Sequence, residues 1–471
     1  MKKNIHVHFM GIGGSAMAGV AILAKAAGFK VSGCDLQQKT YYSPILKKAK
    51  IKFFLGHNIE HLKDVDMVAI SAAVYPTESP HSEVIEAKKR KILISWQEFQ
   101  GRFLQKNKEV LAVAGTHGKS TTTAMLGLAL ESAGLDPTVE VGAIVPQWQS
   151  TARVGYSRFF VCEADEFNYN FLNYQPGVII INNIEMDHPE FFKNEADFQQ
   201  AFVKFIRKIK PPKILIVNEE NEGVQKVLWQ TKDWLSENKV KVVAFFLNQK
   251  FDFPFNSEYQ GKVIKQTADG AEFIVSSSFG RETFKIKIPG LHQITNALGV
   301  ISTIAEMKIN PTKIKKALAD FQNLGRRFDL IGEKHGIKVY DDYAVHPTAV
   351  AATLQAARQK YPQQKIWAVF EPHQYSRLKI FLNEFAQTLK KADQVIVTAI
   401  YPGREKIDPT IKSEGLVDKI GAKALYIEKF EEVAQKINQQ AKPNDIVIVF
   451  GAGKSYLLSK MILEKWTILK K

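Results

Sequence analysis

The stretch that most constrains the fold is Val110 to Thr123, VLAVAGTHGKSTTT. An apolar run, Val110 to Ala114, leads into Gly115, Thr116, His117, Gly118, Lys119 and Ser120. A segment with helical spacing follows, from Thr121 to Ala133. Strand, glycine loop and helix in that order build a phosphate-binding loop. Gly115 and Gly118 let backbone N–H groups approach phosphate oxygens, and the helix points its positive end at the same anion. Lys119 is placed to reach the β- and γ-phosphates of ATP, and the Ser120 hydroxyl to ligate Mg2+. With Thr116 and Thr121 beside them, these are the expected ATP contacts. The full G-x-x-x-x-G-K-[ST] pattern has glycine five positions before Gly118, where Val113 stands. The flanking strand and helix carry the reading instead.

At 471 residues the chain is too long for one core, and about three domains are expected. No apolar run approaches the roughly 18 residues a membrane span needs. Met1-Lys-Lys imitates a signal sequence, but the apolar stretch after it, Ile5 to Met10, is broken by His6 and His8 and reads as a strand. The expectation is a cytoplasmic protein, monomer or weak homodimer, with no membrane partner. A net charge of +16 suits polyanionic ligands such as nucleotides. The lysines scatter over helix faces and no nucleic-acid-binding module is legible, so no nucleic-acid partner is expected. Cys34 and Cys162 have no metal or redox spacing and read as small buried apolar residues.

Along the chain, βα alternation recurs. Gly11, Gly13 and Gly14 follow the first strand, and a second strand, Lys30 to Cys34, ends in Asp35. This fits G-x-G-x-x-G/A with an acid about 20 residues on, which serves a nicotinamide dinucleotide or a UDP group alike. Strand Met67 to Ser71 leads to a turn over Ala72 to Pro76, and helix Ser82 to Lys89 to strand Ile92 to Ile94. The loops at Gly11–Gly14, Asp35 and Ser71–Ala73 then line one cleft. Gln105 to Glu109 reads as a linker. In the next unit, strand Arg158 to Cys162 ends in Glu163-Ala-Asp165-Glu166, and Val178 to Ile181 in Asn182-Asn183-Ile-Glu185-Met-Asp187-His188. Acids after parallel strands beside a phosphate loop are where Mg2+ ligands belong, Glu163 first among them, with His188 closing the next strand end. Val240 to Ile288 reads as antiparallel strands, including VVAFFL and FDFPF. Gly325, Arg326, Arg327 and Phe328 mark the next boundary. A third βα unit follows, with Asp341, Asp342 and His346 after one strand and Glu371, His373, Gln374 and Arg377 after another. Its last strand ends in Gly451-Ala-Gly453-Lys454-Ser455, with Ile448 where a full ATP loop needs glycine. That segment reads as a turn for a smaller ligand, or as purely structural.

Taken together, GIGGSAMAG, GTHGKS, EADE, NNIEMDH, PGLHQITNA, GRRF, DDYAVHPT, EPHQYSR and GAGKS resemble, in order and over essentially the whole chain, the Mur ligases of peptidoglycan precursor synthesis. The resemblance implies an α/β fold of three domains. A Rossmann-like UDP-sugar domain spans 1–107, a central P-loop ATPase-type domain with a β-rich extension 108–324, and a Rossmann-like amino-acid domain 325–471. It implies an ATP- and Mg2+-dependent ligase that activates the lactyl carboxylate of UDP-N-acetylmuramate as an acyl phosphate, which an amino acid then attacks, L-alanine in the best-matching branch. Carried over by position, Lys119 neutralises the transferred phosphate. Ser120 and Glu163 hold one Mg2+ and His188 a second. His292 and Asn296 contact adenine, and Arg326 and Asp342 complete the nucleotide site. His346, His373 and Arg377 face the reacting carboxylate and amino acid. Gly11, Gly13, Gly14, Asp35 and Ser71 hold UDP. The chain departs from the family pattern at Gln293 (commonly Asn), Val345 (commonly His) and Gln374 (commonly Arg). Phe202 stands where several relatives carry a carbamylated lysine that the alanine-adding branch lacks. Alternatives are the branch that attaches a ready-made tripeptide, and a nicotinamide-dependent oxidoreductase, which leaves GTHGKS unexplained.

Overall fold

A computed structural model describes residues 5–465, apart from 38, 72–73, 75–80, 268 and 279. Most of the expected turn over Ala72 to Pro76 lies outside the described residues. The βα alternation produces three sheets in succession. The first is all parallel, in the order β3-β2-β1-β4-β5, from β1 (His6–Met10), β2 (Lys30–Asp35), β3 (Lys52–Leu55), β4 (Met67–Ile70) and β5 (Leu93–Ser95).

The central sheet has ten strands: β6 (Glu109–Ala114), β7 (Thr138–Val145), β8 (Ser150–Arg153), β9 (Phe159–Ala164), β10 (Val178–Ile181), β11 (Ile214–Asn218), β12 (Lys241–Phe246), β13 (Ser257–Thr267), β14 (Gly270–Ser277) and β15 (Gly280–Ile286). Their order is β15-β14-β13-β12-β11-β10-β6-β9-β7-β8. The β-rich extension is only partly antiparallel. VVAFFL is a parallel strand, β12, paired with both β11 and β13, and antiparallel pairing begins at β13–β14. FDFPF forms no strand; Phe251, Phe253 and Phe255 pack against the first core instead. Alternation alone does not separate a buried parallel strand from a hairpin strand, and Pro254 removes a ladder donor.

The third sheet runs β16-β17-β21-β18-β19-β20, from β16 (Asp329–Lys334), β17 (Ile337–Asp342), β18 (Ile366–Phe370), β19 (Gln394–Val397), β20 (Ala424–Tyr426) and β21 (Ile446–Phe450). Only β16 is antiparallel there.

One apolar core runs through the first two sheets, joining Phe9, Phe29 and Phe99 to Phe171, Ile179 and Phe202. Phe202 is fully buried in it. Helix Ser15–Ala26 lies against β8 closely enough that a Cβ on Gly19 would stand 3.0 Å from the Thr151 carbonyl oxygen. The third sheet has separate cores on its two faces. No helix among the described residues is long and apolar enough to cross a membrane.

β6, β9 and β10 are neighbours in the central sheet, so their carboxyl-terminal loops open on one edge, as in other parallel sheets. The loop after β10 is backed by helix Glu222–Glu237, where a Cβ on Gly223 would stand 1.9 Å from the Ile184 carbonyl oxygen. Gly223→Ala therefore forces that backbone apart. It should cost about 1–3 kcal/mol of stability, seen as a lower melting temperature, and should displace residues 184–188. An unchanged melting temperature would contradict this packing.

Candidate active site

Two glycines shape the loop after β6. Gly115 has φ +134° and Gly118 φ +79°, the left-handed region in which a side chain is strained. A Cβ on Gly118 would also stand 2.5 Å from Asn296 Oδ1 and 2.8 Å from Asn182 Nδ2. His117 N–H donates to Asn183 Oδ1 (2.8 Å), and Asn182 Nδ2 to Thr122 Oγ1 (3.0 Å), so the loop is anchored to the end of β10. Helix Lys119–Ser132 starts at Gly118 with no side-chain cap, leaving its first-turn N–H groups for an anion.

Lys119 Nζ lies 3.0 and 3.1 Å from the two Glu166 carboxylate oxygens and donates to the Gly115 carbonyl at 2.5 Å. Burial alone would favour neutral Lys119. The charges of Glu166 and Asp165 outweigh it and hold the ammonium protonated.

Around the lysine is a carboxylate shell. Glu163, ending β9, accepts the Gly142 N–H. Beside it is Glu140, 1% exposed, its carboxyl set against the Glu163 backbone and the Gln100 side chain. Burial and the Glu163 charge push Glu140 well above the usual carboxylate range. Asp165, Glu166 and His188 bring one ligand atom each within 4.8 Å of one another. His188, at φ +54°, contacts Glu190 Oε1 through Nδ1 (3.3 Å) and faces Glu166 Oε1 (3.7 Å) through Nε2.

The third sheet closes the site through the loop after β10. Arg377 donates to Asp187 Oδ1 at 2.7 and 3.1 Å and meets His373 Nδ1 at 3.0 Å. His346 Nε2 lies 3.2 Å from the Met186 carbonyl oxygen, and its ring centroid 4.7 Å from that of His117. The Thr348 hydroxyl donates to Glu185 (2.8 Å). Burial, with Arg377 adjacent, lowers His373 to about 3 and keeps it neutral.

These groups surround one cavity of about 680 Å³, within the range of small-molecule sites. It gathers Thr116, Gly118, Lys119, Ser120, Thr121, Glu163, His188, His292, Asn296, Asp342, His346, His373 and Arg377 from segments far apart in sequence. Gly115 is outside the lining, at the root of the loop. Gln293 bridges His292 Nε2 (3.0 Å) and Asn296 Nδ2 (3.2 Å), so the longer side chain ties the two expected adenine contacts together.

Arg326 does not reach the cavity; Arg327 lines it instead. The Arg326 guanidinium is buried against Asp341 (2.8 Å), the Gly451 carbonyl and the Ser455 hydroxyl, among the rings of Tyr41, Tyr343 and Tyr456. Asp342 lines the cavity while its oxygens accept from Phe328 N, Ala344 N and Thr353 Oγ1. Gly11, Gly13, Gly14, Asp35 and Ser71 cluster at the strand ends of the first sheet, where Asp35 Oδ2 accepts the Gly13 N–H (3.0 Å). They are outside the main lining, which the first domain enters through Ser15, Ala16 and Trp96. Glu166 as the partner of Lys119, and Asp187 as that of Arg377, were not assigned from sequence. The signal available was electrostatic: a buried ammonium or guanidinium requires a carboxylate.

Two measurements follow from these contacts. Arg326→Met leaves Asp341 uncompensated and should cost about 3–5 kcal/mol in chemical unfolding; lost nucleotide binding at unchanged stability would make Arg326 a ligand contact. Burial would raise Glu190, but the hydrogen bond and charge of His188 outweigh it and bring the carboxyl down to about 2. A depressed carboxyl stabilises the fold above its unfolded value and loses that contribution as pH falls towards 2. The stability gap between wild type and Glu190→Gln should therefore shrink from pH 5 to pH 2, and a constant gap would refute the His188 contact.

Three family models match the chain: "Mur ligase family, catalytic domain" over residues 6–108, "Mur ligase middle domain" over 113–304 and "Mur ligase, glutamate ligase domain" over 326–453. A UDP-N-acetylmuramate–L-alanine ligase of Acetivibrio thermocellus is 36% identical over 466 residues, 98% of this chain and 96% of that protein. The crystal structure of a UDP-N-acetylmuramate-alanine ligase from Thermotoga maritima superposes with a TM-score of 0.80 at 26% identity, covering 98% of this chain and 99% of that one. A murein peptide ligase from Psychrobacter arcticus has the same fold, with a TM-score of 0.76 at 24% identity over 99% and 100% of the two chains. With the phosphate loop, its carboxylate shell and Arg377, His346 and His373 of the third domain meeting at one cavity, the chain belongs to the Mur ligase family of ATP-dependent, amide-forming ligases.

Proposed function

We propose that the protein joins L-alanine to the lactyl carboxylate of UDP-N-acetylmuramate at the expense of ATP. The observation that carries this reading is the meeting, in one cavity, of the Lys119 loop with His346, His373 and Arg377, in a chain similar end to end to L-alanine ligases. We take 1–107, 108–324 and 325–471 as the UDP-sugar, ATP and amino-acid units, working in the cytoplasm as a monomer or weak homodimer, without nucleic acid or membrane.

In this reading a lactyl carboxylate oxygen attacks the γ-phosphorus, ADP leaves, and an acyl phosphate forms. The alanine amine then attacks the acyl carbon, and the tetrahedral intermediate collapses to amide and inorganic phosphate. Both steps build negative charge on oxygen, so fixed cations and N–H donors lower the barriers most. Lys119 and the uncapped helix start receive the phosphates. Arg377, held in place by Asp187, orients the carboxylate with His346 and His373 beside it. His292 and Asn296 hold the adenine side, and Gly11, Gly13, Gly14, Asp35 and Ser71 the UDP group. The carboxylate shell fits Mg2+: Glu163, Glu140 and Ser120 are hard oxygen donors, and the Glu163 charge that pushes Glu140 up is the crowding a divalent cation would relieve. Ser120 and Glu163 would hold one ion and His188 a second, supplying charge neutralisation at the phosphates.

The test is phosphate release from ATP with UDP-N-acetylmuramate and Mg2+, adding L-alanine, glycine, L-serine or the tripeptide separately, with mass spectrometry of the product. The expected result is release with L-alanine and a product heavier by one alanyl residue, both abolished by Lys119→Ala in a protein that still folds. Release only with the tripeptide would assign the protein to peptide recycling. Full activity of Lys119→Ala would remove the ATP assignment.

A further inference from the structure

The first domain carries a second cluster of ligating groups, apart from the ATP cavity. His8 on β1, Cys34 on β2, His61 in the turn Ile59–Leu62 and Glu83 in helix Ser82–Lys89 bring one ligand atom each within 4.8 Å of one another. The side chains of His8 and Glu83 are 0% exposed and that of His61 only 12%. His8 Nε2 is 3.3 Å from Cys34 Sγ and 3.8 Å from Glu83 Oε1, Cys34 Sγ is 3.2 Å from Glu83 Oε2, and His61 Nδ1 is 2.5 Å from Glu83 Oε1. Zinc bonds of about 2.0–2.3 Å at tetrahedral angles put neighbouring ligand atoms about 3.3–3.6 Å apart. His8 and Cys34 are 3.3 Å apart, within that spacing, His8 and Cys34 face different Glu83 oxygens at 3.8 and 3.2 Å, and a cation would turn the carboxylate and open the His61–Glu83 contact to match.

The surrounding hydrogen bonds direct a lone pair inward. The Asp64 carbonyl can only accept, so His6 Nδ1 donates to it (2.9 Å). His6 Nε2 then accepts from the Ser32 hydroxyl (2.8 Å), and Ser32 Oγ accepts from His8 Nδ1 (2.8 Å). Burial disfavours a charged imidazole, so His8 presents an unprotonated Nε2 to the cluster. An outer partner that fixes the tautomer of a ligating histidine is the usual support of a metal site. His57 backs the other two ligands from outside, its Nδ1 lying 3.1 Å from Cys34 Sγ and 3.2 Å from Glu83 Oε2.

We propose that His8, Cys34, His61 and Glu83 form a structural site for a borderline-soft divalent transition metal of the zinc class. Two imidazoles, a thiolate and a carboxylate suit such an ion better than Mg2+ or Ca2+. Binding releases the Cys34 thiol proton to solvent. The ion would pin the Ile59–Leu62 turn and helix Ser82–Lys89 to β1 and β2. Cys34 is also where the glycine loop is anchored, because its carbonyl accepts the Gly11 and Ile12 N–H groups at 2.8 and 3.2 Å. The site needs no assumption about the reaction.

The test is titration of the purified full-length protein with Co(II), followed by displacement with Zn(II). Histidines and acids in the ATP cavity can also take such ions, so the diagnostic signal is the thiolate-to-cobalt charge-transfer band. The expected result is that band, saturating at one equivalent and abolished by Zn(II). It should be absent in Cys34→Ser, while Cys162→Ser keeps it. His61→Ala, altered at the exposed side of the cluster, should weaken zinc binding at least about tenfold and serves if Cys34→Ser fails to fold. No charge-transfer band at saturating cobalt, or a band that survives in Cys34→Ser, would overturn the site.

Discussion

An ammonium group taken out of water is costly unless its charge is met, and Lys119 is placed where that matters most. Glu166, fully buried, meets it with both oxygens, and the Gly115 carbonyl accepts a third contact. The pair fixes several things together. It folds the lysine back over its own loop, sets the loop after β9 against the loop after β6, and gives His188 a carboxylate to face. An incoming phosphate brings the negative charge that Glu166 otherwise supplies. In the function proposed above, nucleotide binding at this loop would be an exchange of partners for a charge already desolvated, which is cheaper than burying a new one.

The loop after β10 is the second organising element, and it works in both directions. On its near side, Asn182 and Asn183 hold the phosphate loop. On its far side, Glu185, the Met186 carbonyl and Asp187 receive Thr348, His346 and Arg377 from the third domain. Polar and ring contacts carry this joint rather than a shared apolar core, since the third sheet keeps its cores to itself while the first two sheets share one. A joint of a few polar contacts opens at lower cost than a shared core. The third domain is therefore joined to the phosphate loop less firmly than the first domain is to the second.

Much of this was legible in the sequence. Val178 to Ile181 and Ile366 to Phe370 were readable as buried strands because parallel strands are apolar on both faces. The glycine loops and strand-end acids were readable because their chemistry is tied to local spacing. What escaped depends on side chains meeting across long sequence separations. EADE contains both Glu163 and Glu166, and spacing does not say which faces the lysine. The hairpin β7–β8 was missed because β7 also pairs with β9 and is buried on both faces over its first half, so no alternation marks it as a hairpin strand. Arg326 and Arg327 are adjacent, and only the fold decides which points into the cavity. Cys34 is buried, as its sequence reading expected, but spacing does not show that His8, His61 and Glu83 come to it from three other elements of the chain.

The two Gly-Lys-Ser segments show why the same letters do different work. In both, a strand runs into glycine, lysine and serine at a helix start. After β6, the loop's neighbours at the end of β10 are asparagines, which hold the loop and leave the N–H groups at the start of the helix uncapped. After β21, the neighbouring strand β18 ends in Glu371, whose carboxylate lies under the loop and accepts the Gly453 N–H at 3.1 Å. A Cβ on Gly451 or Gly453 would stand 2.8 or 2.7 Å from Glu371 Oε2, so the glycines are there to admit that carboxylate. Burial pushes Glu371 up to about 7 although the N–H groups of Ser455, Lys454 and Gly453 favour its charge. The protein has filled its second anion cradle with its own acid. A phosphate arriving there would meet a carboxylate and occupied donors, which favours the structural reading of GAGKS over a ligand site, while the GTHGKS loop keeps its donors free of any such acid.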